Sequence, residues 1–104
     1  MGSNYGFAPN LYGAAPIVGQ VKVAITGTAV QFGSNTLLNG VIVTAASGNA
    51  AAVTLGGSTV TNTVDGTGNG YVLAAGASVS FALDNTNRIY VNGTANDFIS
   101  FAAS

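Results

Sequence analysis

Any chemistry in this chain has to come from very few side chains. Its 104 residues contain Asp65, Asp84, Asp97, Lys22 and Arg88 as the only charged groups, with no His, no Cys and no Glu. Without imidazole or thiol there is no general base tuned near neutral pH, no thiolate nucleophile and no Cys/His zinc site. A two-carboxylate mechanism would need Asp65, Asp84 and Asp97 to converge from separate loops, and no hydroxyl nucleophile has a base beside it in sequence. The chain reads as a non-enzyme, with no catalytic residue, no cofactor and no metal ligand set.

Each polar cluster has a structural explanation. Asp65-Gly66-Thr67-Gly68-Asn69-Gly70 places oxygens at alternate positions like the front of a calcium loop. The twelfth position, however, is Gly76 where a bidentate Glu is needed, so an Asx turn in a Gly-rich hairpin is the expectation. Asp84 and Arg88 bracket Asn85-Thr86-Asn87 and read as a polar turn with a local ion pair. Asn92-Gly93-Thr94 fits the glycosylation pattern, but residues 1–10 carry neither a basic stretch nor an unbroken apolar one, and no leader peptide is expected. Tyr71, Phe81 and Tyr90 would be the rings of a sugar-binding platform. Strand parity puts Phe81 with Val79 and Leu83 on a core face and turns Tyr90 away from Ile89 and Val91.

The elements that must position these groups are β-strands. Val21, Val23 and Ile25 alternate with Lys22, Ala24 and Thr26, and a parity change to Val30 and Phe32 suggests a bulge at Gly27. Short β-branched or aromatic runs follow at 41–45, 52–55, 59–64, 71–73, 78–83, 88–92 and 98–101, separated by Gly, Asn, Asp and Ser clusters. The pattern predicts an all-β fold, an antiparallel β-sandwich or jelly roll of about eight short strands. The expected core is Val21, Val23, Ile25, Val41, Val43, Val53, Leu55, Val79, Phe81, Leu83, Ile89 and Val91, with Phe98 or Phe101 closing one end. Residues 20–104 form this single domain. Residues 1–19, which follow neither strand nor helix period, form an extended N-terminal arm. Its Tyr5, Phe7, Leu11 and Tyr12 are the candidate partner-binding residues, since large apolar groups gain nothing in a solvated linker.

Charged residues make up 5% of the chain, for a net charge of −1. That leaves no polybasic patch for a nucleic acid, and polar residues interrupt the charge-free stretch 23–64 too often for a membrane helix. Ser, Thr, Asn and Gly give a neutral surface that can associate with little desolvation cost, so self-association, as a homotrimer, is expected.

Residues 71–100, YVLAAGASVSFALDNTNRIYVNGTANDFIS, resemble a segment recurrent in small virion proteins of tailed bacteriophages. The shared order is a Tyr-x-Leu strand, a turn at Gly76, Ser-Val-Ser, Asp-Asn-x-Asn, Ile-Tyr-Val and a final Asp-x-Ile-Ser strand, with Gly27-Thr28-Ala29-Val30 as a further echo. This chain departs from the pattern at Ala75, where Pro is common. The resemblance implies a capsid decoration or cement protein, or a head-fibre type. Such a protein is made in the host cytoplasm, sits on the capsid exterior and contacts the major capsid protein and copies of itself. The alternative it implies is a head-fibre or tail domain that binds host-surface glycans.

Overall fold

A computed structural model describes residues 16–104. Among these residues the strands are β1 (Ile17–Lys22), β2 (Val30–Gln31), β3 (Val41–Ala45), β4 (Val53–Gly56), β5 (Tyr71–Leu73), β6 (Ser78–Phe81), β7 (Tyr90–Asn92) and β8 (Phe98–Ala103), with a 3-10 turn at Thr86–Arg88. They form two four-stranded antiparallel sheets, sheet 1 in the order β1-β8-β3-β6 and sheet 2 in the order β2-β7-β4-β5. The chain changes sheet at every connection except β4 to β5, which is the double Greek key of an eight-stranded jelly roll.

Alternation along the strands explains why two layers form. Val41, Val43 and Ala45 of β3 are buried while Ile42 is exposed, and Ile99, Phe101 and Ala103 of β8 are buried while Ala102 is exposed. Sheet 2 meets them with Val53, Leu55 and Val91. The layers are tied by the rings of Phe32 and Phe101, whose centroids stack 5.5 Å apart. Phe101 also lies over its cross-strand partner Gly19, where a Cβ would come within 2.9 Å of the ring. Gly40, at φ +95°, enters β3 so close to β6 that a Cβ there would collide with the Phe81 carbonyl oxygen.

Several expectations are corrected. Residues 17–19, expected in the arm, are strand: Ile17, Val18 and Gly19 pair with Ala103, Ala102 and Phe101. The parity change after Ile25 is a change of sheet and not a bulge: β1 ends at Lys22 and the chain turns at Gly27 to reach β2. Ile25 is therefore in a connecting loop and 66% exposed. Residues 59–64 alternate like a strand, yet the segment from Gly57 to Gly70 is a compact Ω-shaped loop held by its own side chains. Val79, Phe81 and Leu83 are only partly buried, since β6 is an edge strand with a neighbour on one side. Phe101, not Phe98, is the phenylalanine that enters the core.

Phe101→Ala is expected to destabilise the fold by about 3–5 kcal/mol, and Gly19→Ala by about 1–3 kcal/mol through overpacking against the same ring. Phe81→Ala, losing a ring only partly removed from water, should cost about 1–2 kcal/mol. Denaturant unfolding of the three variants checks the order.

Candidate functional site

The three carboxylates are far from one another in role. Asp65 Oδ1 accepts hydrogen bonds from the Thr67 hydroxyl at 2.6 Å and the Thr67 N–H at 3.0 Å, the Asx turn read from the sequence. Those bonds hold its carboxyl below the ordinary value. Asp84 accepts from the Nε and one terminal Nη of Arg88 on an exposed turn. The hydrogen bond and then the charge of Arg88 lower the Asp84 pKa, while Arg88 is raised in return. Asp97 is buried and accepts the N–H groups of Ala50 at 2.8 Å and Ala51 at 3.1 Å, pinning the β3–β4 loop to the β7–β8 loop. Beside it, the side-chain amide of Asn49 exchanges two 3.0 Å hydrogen bonds with the backbone of Phe98. Among the described residues no group of three or more metal-ligating acids converges, and no helix is long and apolar enough to cross a membrane.

The glycosylation match is consumed by the fold. Asn92 is 2% exposed; its amide nitrogen donates to the carbonyls of Gly27 and Val60, and its oxygen accepts the Gly93 N–H. A glycan on that nitrogen is incompatible with this packing. The aromatic platform is divided as well. Tyr71 shares the face of its cross-strand partner Leu55 but stands at the rim, 51% exposed, meeting Phe81 edge to face at 6.3 Å, whereas Tyr90 lies next to the buried Val91 and so faces the other side of sheet 2.

What remains is a difference between the two outer faces. The Ω loop folds back over sheet 2: Thr54 and Asn92 on its outer side are buried, Thr54 donating to the Thr61 carbonyl and Asn92 to that of Val60. Asn69 closes the loop by bonding Thr59 and Thr61. Among the described residues sheet 1 has no such cover. Cross-strand register aligns Val18, Ala102, Ile42 and Ser80 in one outward row and Gln20, Ser100, Thr44 and Ser78 in the next. Val18 is 65% and Ile42 54% exposed. Shallow grooves of about 320 Å³ and 180 Å³ flank Ile42. Lys22, at the end of β1, is the only charge on these strands.

The sequence reading missed this face because Ile42 looks like an ordinary strand residue and Val18 fell within the expected arm of residues 1–19. The signal available was parity, which sets Ile42 against Val41 and Val43. The candidate partner-binding residues Tyr5, Phe7, Leu11 and Tyr12 lie outside the described residues.

No family model matches the chain, and no curated protein matches it. Among solved structures, a chain from Bacillus endospore appendages, described as a novel family of disulfide-linked pili, is 16% identical over 86% of this chain and 87% of its own, with a TM-score of 0.40. That distant likeness does not bear on the bacteriophage resemblance.

Both lowered carboxyls place a small part of the stability above their unfolded values near 3.8, to be lost as the pH falls through their folded values. NMR titration should find Asp65 and Asp84 both with midpoints below 3.8, and Thr67→Val, which removes the hydroxyl bond but keeps the N–H bond, should raise Asp65 part of the way back and leave Asp84 unchanged.

Proposed function

We propose that the protein is a structural component of a bacteriophage virion, a decoration protein that lays the outer face of sheet 1 on the capsid exterior and staples subunits of the major capsid protein. The observation that carries this reading is the contrast between the faces: the Ω loop covers the middle of sheet 2 over Thr54 and Asn92, leaving Val72 at one edge exposed, whereas sheet 1 presents a row of Val18, Ala102 and Ile42 across three neighbouring strands. A flat surface of small apolar and hydroxyl side chains packs against another protein with few charges to desolvate. Its strands are short, but a standard interface needs only about 800 Å² per partner. Repetition over many copies multiplies a modest contact into resistance of the shell to rupture. Further support comes from the sequence resemblance, whose segment 71–100 supplies β5, β6, β7 and the first half of β8. The glycan-binding alternative loses ground because Tyr71 and Tyr90 face opposite ways.

Ile42→Lys and Val18→Lys place a charge on exposed positions where the fold has room for it. Each is expected to leave the melting temperature within about 2 °C of the parent and to lower binding to undecorated heads by at least roughly tenfold in co-sedimentation. Undiminished binding of the double variant would remove sheet 1 as the docking face.

A further inference from the structure

The interior is short of side chains in one place. Where sheet 1 ends in Phe81 and Leu83, sheet 2 opposes them with Gly56 and Gly57, and β5 stops at Tyr71, which pairs with Leu55 and does not extend past it. The result is a cleft of about 200 Å³ lined by Gly56, Gly57, Phe81, Leu83, Arg88 and Ile89. Tyr71 stands against Phe81 on the same flank of the sandwich. Apart from Arg88 the side chains of the lining are apolar. A cavity of about 150 Å³ with apolar walls accepts a benzene ring, so the cleft matches one aromatic side chain, which would rest on bare glycine backbone within reach of a guanidinium.

The chain carries such groups in residues 1–15, an uncharged sequence containing Tyr5, Phe7, Leu11 and Tyr12. That segment joins the fold at Ile17, and Ile17, Ala103, Val41 and Phe81 form a single cross-strand row. The point where the arm leaves and the cleft therefore sit at the same level on opposite edges of sheet 1, three strand spacings or about 14 Å apart. Fifteen residues reach up to about 50 Å when extended. Pro16 fixes its own φ and disfavours a helical conformation in the residue before it.

We infer that residues 1–15 of one copy dock on the β6 flank of a second copy and place an aromatic ring, Phe7 or Tyr12, in the cleft between Phe81 and Gly57. Donor and acceptor lie on different edges, so the contact is heterologous, and copies join head to tail in a closed ring such as a trimer or in an open chain. The docking leaves the outer row of sheet 1 free and does not depend on whether that face meets a shell.

Because the chain has no cysteine, the test can be made with single thiols and without particles. Phe7→Cys and Tyr12→Cys chains carrying one tag are each mixed with a Leu83→Cys chain carrying another, and oxidised. At least one mixture is expected to yield a mixed disulfide dimer. Gly57→Phe, at a position where a Cβ meets open space, should fill the cleft, abolish that dimer and leave the melting temperature unchanged. Tyr12→Ala combined with Phe7→Ala should weaken self-association in sedimentation by roughly thirtyfold or more, while Ile42→Lys should leave it intact. Absence of mixed dimers in both mixtures, or assembly unaltered by Gly57→Phe, would each overturn the inference.

Discussion

Strand β8 is hydrogen-bonded on both sides, to β1 and to β3, and its register fixes which side chains of sheet 1 go in and which go out. In that register Ile99, Phe101 and Ala103 fall in line with Ala45, Val43 and Val41 and enter the core. The same pairing puts Ala102 between Val18 and Ile42 on the outside. A slip of one residue would exchange the two sets, burying Ser100 and expelling Ile99 and Phe101. The stack of Phe101 on Phe32, over the bare backbone of Gly19, allows only one seating. Core and outer face are thus one constraint seen from two sides.

The loops at both ends are held mainly by uncharged groups, with Asp97 the one carboxylate among them. At one end Thr86, fully buried, donates to the Gly33 carbonyl and accepts from the Asn35 amide, while Asn85 accepts the Asn35 N–H and caps the 3-10 turn. At the other end Asn49, Asn92 and Asp97 bind backbone groups across neighbouring loops. Amide and hydroxyl side chains are cheaper to bury than ions and still satisfy backbone donors and acceptors. A sequence so rich in Asn and Thr and so poor in charge can close its ends firmly and keep a neutral exterior. That exterior is what a subunit in a repetitive assembly needs, because each contact displaces little bound water from charge.

The strands with clean alternation were legible in the sequence, Val41–Ala45 and Tyr71–Leu73 with their observed ends. Fold class followed from the spacing of turn residues. What escaped was whatever depends on partners distant in sequence. Parity could not tell a bulge from a crossing between sheets at Gly27, and so it put Ile25 in the core. The stretch 59–64 looks like a strand because its Thr residues are β-branched; their hydroxyls and carbonyls instead bond Thr54 and Asn69 inside the Ω loop. Phe81 was assigned to the core by its face, but edge position is set by the strand order and not by local pattern. The open row on sheet 1 needed the pairing of β1 with β8, from opposite ends of the described chain, to become visible.

The most direct measurement of the central claim is a reconstruction of decorated particles at a resolution that distinguishes the two sheets. The account predicts that sheet 1 lies against the shell, with Val18 and Ile42 in the interface, and that the Ω loop of residues 57–70 points to solvent. Density with the Ω loop and sheet 2 against the shell, or heads from which the protein is absent, would contradict it.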